Sequence, residues 1–313
     1  MKICFIGLGS IGTRHLQNLV QILAEREIFS EIHALRTTPR PLSDQIAKII
    51  DKEFTSYENI DNDYDIVFIT NPTNKHYETL NTILSHTKHI FIEKPLFMDT
   101  KNDLRSLLLK KDSIYYVAAP LRYNGVFPSL LDFVKKNKVY SVRAICSSYL
   151  PEWRKNINYI VNYSAHKEMG GGVSLDLIHE WDYLKFLFGI PNSLSYLKGT
   201  KSELNIDSDD IAVYIADYSD KIVELHLDYF GRRTTRQLEL FTKDGLLKVD
   251  FISQTVSFDN GIEIIPYPVT KADDPYIAEM NYFLDLCTGK ETRNQNDIYN
   301  AFDTLKLALG ELE

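Results

Sequence analysis

Along the first part of the chain, short apolar blocks alternate with longer stretches of helical periodicity. Lys2–Ile6 is an apolar run that predicts a buried strand. Over residues 11–26, Leu16, Leu19, Val20 and Leu23 recur at helical spacing. Glu31–Leu35 reads as a second strand, and residues 41–51 as a helix with proline tolerated in its first turn. A weak strand near Phe54 precedes a stronger one over 65–69. A helix over 74–85, a strand over 89–92, a helix over 100–110 and a strand over 114–119 complete the series. Alternation of this kind predicts a parallel sheet covered by helices.

The texture changes after Pro120. A helix over Phe127–Lys136 precedes a strand over 141–149 and a polar, aromatic loop over 151–167. Gly170-Gly171-Gly172 then opens a helix expected to run to Gly189. Period-two stretches follow at Ile211–Tyr218, 222–229 and 236–242, with turn residues at Asp244-Gly245 and Asp259-Asn260-Gly261. This pattern predicts an antiparallel sheet. Helices over 274–288 and 297–312 close the chain. The expected organisation is therefore an α/β chain of two domains, 1–120 and 121–313.

Composition narrows the class without naming a chemistry. The 313 residues are 44% hydrophobic and 25% charged, an ordinary globular mixture with enough length for two cores. The net charge of −8, with no basic run, argues against nucleic acid as a partner. Three cysteines, Cys4, Cys146 and Cys287, are odd in number, far apart and without metal-ligand spacing, so they read as buried thiols and no metal is expected. No apolar run approaches the ~20 residues of a membrane span. The first strand is too short for a secretory leader and runs straight into a glycine turn, so a cytoplasmic protein with no membrane partner is expected.

Candidate chemistry begins at that turn. Gly7-x-Gly9-x-x-Gly12 sits directly between strand and helix. A turn there needs positive φ, a pyrophosphate needs a close backbone, and the helix must pack near the strand. The free amides of Ser10, Ile11 and Gly12 would then face an anion. The second strand ends at Leu35-Arg36-Thr37 without the acidic side chain that usually holds a ribose 2′-hydroxyl. Arg36, Thr37 and Arg40 instead suit a 2′-phosphate, which favours NADP over NAD; an arginine stacked on adenine would not discriminate. Asn71 and Thr73 follow the fourth strand, where loops line a cofactor crevice, with His76 at the start of the next helix. His76 reads equally well as an exposed helix-start residue.

Glu93-Lys94-Pro95 ends another buried strand. A charged pair there is expensive unless it faces a cleft, and Lys94 supplies a cation for a substrate oxygen or a nicotinamide ribose. With Asn71-Pro72-Thr73-x-x-His76, Leu121-Arg122-Tyr123 and Gly170-Gly171-Gly172-x-x-x-Asp176, the chain resembles the glucose-fructose oxidoreductase / inositol dehydrogenase family of NAD(P)-dependent oxidoreductases. The resemblance implies an N-terminal Rossmann domain with a doubly wound parallel sheet. It also implies a C-terminal α+β domain with an open, mainly antiparallel sheet, which commonly joins dimers or tetramers in the family. Sugars, sugar acids, cyclitols and nucleotide-linked sugars are the implied substrates.

The family's second motif places its histidine one position later than His179 falls here, so either His179 or Glu180 takes that role. His179 is the residue we select. Histidine titrates near neutrality and suits the proton transfer that accompanies hydride transfer. Lysine, with a reference pKa of ~10.4, suits an oxygen-polarising ammonium or a relay partner better than a base. Asp176 would orient His179 or bind a neighbouring hydroxyl. Arg122, Tyr123, Trp153 and Tyr163 are the candidate substrate contacts, although the chain has 19 tyrosines and any one carries little information. The expected function is an NAD(P)-dependent oxidoreductase acting on CH–OH groups of a sugar-type substrate. A non-catalytic NADP(H)-binding regulator of the same fold is the alternative, as is an enzyme that recycles a retained cofactor.

Overall fold

The computed structural model describes residues 1–37, 41–154, 157–270 and 274–312, in two compact units. The first contains Met1–Pro120 and Asp274–Asp303, the second Leu121–Asp273 and Thr304–Glu313.

In the first unit, β1 (Lys2–Ile6) is followed by α1 (Ser10–Glu25), β2 (Glu31–Leu35), α2 (Asp44–Ala47), β3 (Lys52–Phe54), β4 (Tyr64–Ile69), α3 (His76–Ile83), β5 (Thr87–Ile92) and β6 (Tyr115–Val117). The six strands form a parallel sheet in the order β3-β2-β1-β4-β5-β6. Strand order reverses between β1 and β4, so the loops leaving those two strands meet at the switch point of a doubly wound sheet. Phe5 stacks on Phe68 at 4.5 Å and Phe68 tilts against Phe91 at 5.2 Å, three buried rings on three adjacent strands. Leu16, Leu19, Ile22 and Leu23 of α1 join the same core.

Two predicted helices are not formed at their predicted length. Residues 100–110 contain only a single turn at Leu104–Ser106. There the Asp103 carboxylate accepts the Arg105 amide at 2.9 Å and Ser106 Oγ donates to the Asp103 carbonyl at 2.6 Å. These short-range side-chain bonds compete with a helical backbone. The helix expected over 41–51 shrinks to α2, capped by Ser43. It ends at Ala47 with Lys48 as its C-cap, and by Asp51 the chain already pairs with β2, the side chain accepting from Ile32 N and the amide donating to Ile32 O.

In the second unit, α4 (Phe127–Lys136) leads into β7 (Val139–Tyr149), α5 (Val173–Asp176) and α6 (His179–Phe188). Then come β8 (Ser193–Gly199), β9 (Ile211–Tyr218), β10 (Lys221–Asp228), β11 (Phe230–Thr242), β12 (Gly245–Asp250), β13 (Thr255–Asp259) and β14 (Ile264–Tyr267). The sheet order is β14-β13-β12-β11-β7-β10-β9-β8, antiparallel throughout except the β7–β10 pair. Tyr214, Leu225, Ala144, Leu238, Val249 and Val256 align across the strands on the buried face. The opposite row runs Ile215, Glu224, Arg143, Glu239, Lys248 and is polar or part-exposed. The helix expected to run from Gly172 to Gly189 is broken into α5 and α6, because Leu177 leaves helical geometry at ψ 28°.

The chain ends in α7 (Pro275–Cys287) and α8 (Ile298–Leu309). The expected boundary, with 121–313 as one domain, is corrected here: Asp274–Asp303 belongs to the first unit. Met280, Phe283, Leu284 and Leu286 of α7 complete the core around α1. Arg26 reaches Asn281 and Asp285, and buried Glu279 accepts Tyr116 OH at 3.0 Å and the Ala119 amide. Asn296 pairs its carbonyl and side-chain amide with Val117, covering the outer edge of β6 that would otherwise be an open template.

Candidate functional site

The glycine turn is built by close backbone packing. Gly7 has φ +92°, and a Cβ there would lie 2.8 Å from Asn71 backbone atoms. A Cβ on Gly12 would lie 2.4 Å from Gly7 O and 2.6 Å from Thr70 Oγ1, the hydroxyl that donates to Gly7 O at 2.5 Å. Gly9 differs: nothing lies within 4 Å of its Cβ position. It caps α1 with no side-chain hydrogen bond, so the first-turn amides of Ser10, Ile11 and Gly12 have neither an intrahelical acceptor nor a capping oxygen. An open approach over Gly9 to the N-terminus of a long helix fits a pyrophosphate.

Lys94 follows β5 and is half-buried, and its bond to Pro95 is cis. Beside it, Glu93 is buried and spoken for: His15 Nε2 lies 2.5 Å from Oε1, and Oε2 accepts the Lys94 amide at 2.9 Å. Burial pushes the Glu93 carboxyl up, but the His15 hydrogen bond and the Lys94 charge outweigh it and hold the group below its ordinary value. Glu93, expected among the cofactor contacts, thus anchors the strand end to α1. His76 is likewise buried rather than exposed. Its Nε2 meets Asn71 O at 2.9 Å and its Nδ1 meets Pro95 O at 3.0 Å, tying the loops after β4 and β5 together. Burial lowers its pKa against the pull of those carbonyls. Asn71 binds Thr79 Oγ1 through Nδ2 at 2.8 Å, while its buried Oδ1 has no partner among the described residues. Thr73 opens the turn before α3 and is nearly buried.

At the end of β2, Arg36 donates to Glu53 of β3 at 2.9 Å. Thr37 is exposed, and Arg40 lies outside the described residues.

In the second unit, a cavity of about 470 Å³ is lined by Trp153, Asp176, His179, Arg232 and Arg236, among others. Gly171 and Gly172 let the chain pack closely where it enters α5, since a Cβ on Gly171 would lie 2.2 Å from Tyr163 O and one on Gly172 2.3 Å from Asp209 Oδ1. Asp209 caps α5 by accepting Ser174 N at 2.9 Å. Asp176 is buried and accepts Tyr229 OH at 2.5 Å. Burial and the Asp176 charge push the Tyr163 phenol up, so it stays a neutral hydrogen-bonding group. His179 begins α6 and is part-exposed; its neighbour Glu180 is fully buried, with Arg236 Nε at 2.7 Å from Oε1. The cavity face and the core face of α6 thus separate these two residues. Cys146 also lines the cavity, but burial pushes its thiol up to about 12, which makes it a poor nucleophile.

The remaining candidates divide. Trp153 meets Tyr229 edge-on at 5.2 Å and donates to Ser148 at 2.9 Å, presenting part of its ring to the cavity. Arg154 lies 5.7 Å from the Tyr163 ring. Arg122 is buried in a bidentate pair with Asp182, at 2.8 and 2.7 Å, and stacks over Phe186. That pairing makes it a brace for α6. Tyr123 is half-buried beside it in the chain and does not line the cavity. Sequence reasoning missed His15, Glu53, Asp209 and Arg236. Only His15 carried a signal: a polar residue on the inward stripe Gly12, His15, Leu19, Ile22 of α1.

Residues 1–117 match the family described as "Oxidoreductase family, NAD-binding Rossmann fold". Over 200 residues the chain is 26% identical to an uncharacterized oxidoreductase, YrbE, of Bacillus subtilis, covering 62% of this chain and about half (55%) of that relative. Over 303 residues it is 22% identical to the myo-inositol 2-dehydrogenase of Thermotoga maritima, covering 91% and 87% of the two chains. The fold is shared with UDP-N-acetylglucosamine 3-dehydrogenase GnnA from Acidithiobacillus ferrooxidans, with a TM-score of 0.77, 18% identity and coverage of 99% and 96%. Among the described residues no helix is long and apolar enough to cross a membrane.

Proposed function

We propose that this chain, whose first 117 residues match the oxidoreductase family with the NAD-binding Rossmann fold, is a nicotinamide-dependent dehydrogenase or reductase acting on a CH–OH group of a sugar, sugar derivative or nucleotide sugar. The observation that carries this reading is the cavity in which part-exposed His179 and Asp176 share the lining, with Glu180 turned into the core. The named activities of the Thermotoga and Acidithiobacillus proteins support the substrate class.

When bound, the nicotinamide supplies hydride acceptance and donation. The chain's own groups do the rest. Amides of Ser10, Ile11 and Gly12 hold the pyrophosphate. His179 takes the hydroxyl proton of the substrate in oxidation and returns it in reduction. Asp176, fixed by Tyr229, orients that imidazole or a neighbouring substrate hydroxyl. Lys94 donates to the reacting oxygen as an ammonium. Trp153 offers an apolar ring face to a sugar. The polar, part-exposed row of the second unit's sheet is the surface proposed to join copies of the chain.

The test is nicotinamide absorbance of the purified chain with a panel of sugars, cyclitols and nucleotide sugars, beside NADH and NADPH binding titrations. Lys94→Ala is expected to keep dinucleotide binding and to lose turnover. Unchanged turnover would overturn the assignment, and dinucleotide binding with no turnover on any substrate would favour a regulator.

A further inference from the structure

We infer that Glu53 decides which form of the dinucleotide the first unit accepts, and that it selects NADH over NADPH. The inference rests on the proposed dinucleotide site and concerns the end of β2, where an adenosine ribose is recognised in a doubly wound sheet. Leu35 and Phe54 are in register, and the ladder continues through Arg36 N to Phe54 O at 2.9 Å. Arg36 follows Leu35 and Glu53 precedes Phe54, so strand alternation puts both side chains on one face. There they meet at 2.9 Å. The Arg36 side chain is only 10% exposed, whereas Glu53 remains 40% exposed.

Two consequences follow for a ligand. The Arg36 charge, which alone would attract a 2′-phosphate, is cancelled by the carboxylate already beside it. A phosphate arriving there also meets Glu53 as a like charge, and rejection of this kind is an effective source of specificity. A ribose diol carries no such penalty and offers hydroxyl donors to a carboxylate that is still open to solvent. Lys52, the cation next to Glu53 in the chain, is drawn away to Asp61 at 3.2 Å and does not neutralise it. The missing acid at the end of β2 is thereby replaced by one from β3.

The experiment titrates the full chain with NADH and with NADPH separately, following dinucleotide fluorescence, so that binding is read without turnover. Wild type is expected to bind NADH more tightly. Glu53→Gln is expected to shift the ratio of the two dissociation constants toward NADPH by on the order of tenfold, because it removes the repulsion between the carboxylate and the 2′-phosphate. Arg36→Gln, which leaves the carboxylate uncompensated, is expected to move the ratio the opposite way. Wild-type preference for NADPH, or a ratio unmoved by Glu53→Gln while both dinucleotides bind, overturns the inference alone. Binding of neither dinucleotide by wild type overturns the dinucleotide site as well.

Discussion

His15 Nε2 and Glu93 Oε1 lie 2.5 Å apart in the interior of the first unit, joining the helix that follows the glycine turn to the strand end that carries Lys94. Glu93 passes the connection on, since its second oxygen accepts the Lys94 amide. The element proposed to hold a pyrophosphate and the element proposed to present an ammonium are therefore one rigid assembly.

Glu93→Gln tests that link through stability. The folded-state pKa of Glu93 lies below its ordinary value, so its contribution is fully present above the unfolded carboxyl pKa and is lost as pH falls through the folded one. The variant is expected to be less stable than wild type in urea melts at pH 7. The gap should close as the melts are repeated below about pH 4. A gap that widened on acidification would contradict the assignment.

Gly9→Ala and Gly12→Ala separate ligand approach from packing. Gly12→Ala forces a Cβ against Gly7 O and Thr70 Oγ1 and is expected to cost about 1–3 kcal/mol by thermal denaturation. Gly9 has φ −74° and open space, so alanine there should leave stability within about 0.5 kcal/mol. Yet that methyl group stands where a dinucleotide would approach, and NADH affinity is expected to fall at least as far as in Gly12→Ala.

His179→Asn and Glu180→Gln distinguish the two claimants for the acid/base role. His179→Asn is expected to lower kcat by about 10²–10⁴ with little change in Tm. Glu180→Gln leaves Arg236 facing a neutral partner in a buried site and is expected to cost on the order of 3 kcal/mol, with kcat of the folded fraction far less affected. The reverse pattern would transfer the role to Glu180.

Asp182→Asn addresses Arg122. Breaking this buried bidentate pair is expected to cost about 3–5 kcal/mol, measured by denaturation. If Arg122 bound substrate instead, KM would rise while Tm held.

Much of the first unit was legible because its signals are local. Glu31–Leu35 matches the observed strand end for end, and the glycine turn sits where strand and helix patterns meet. Predictions failed where side-chain bonds ran against periodicity: Asp103 turned a leucine-rich stretch into a single turn, and Asp51 holds to Ile32 of β2 where a helix was expected to continue. At the candidate sites, residue type showed where chemistry is concentrated but not which groups are consumed by one another. Glu93 with His15, Arg122 with Asp182 and Arg36 with Glu53 are pairs between residues distant in the chain, and spacing carries no trace of them. The continuous helix expected to run to Gly189 is also two helices, with Asp176 ending one and His179 opening the next, since Leu177 breaks the geometry between them.

The return of α7 and Asn296 to the first unit has a consequence for biogenesis. When a ribosome has released only the opening 120 residues, Leu16, Leu19 and Phe91 still lack their covering helix and the rim of β6 is bare. The nascent dinucleotide fold must wait, sticky and half-clad, through synthesis of the whole intervening sheet. A chaperone holding that intermediate, or a sharp solubility loss on truncating the gene before codon 274, is what such a delayed closure entails.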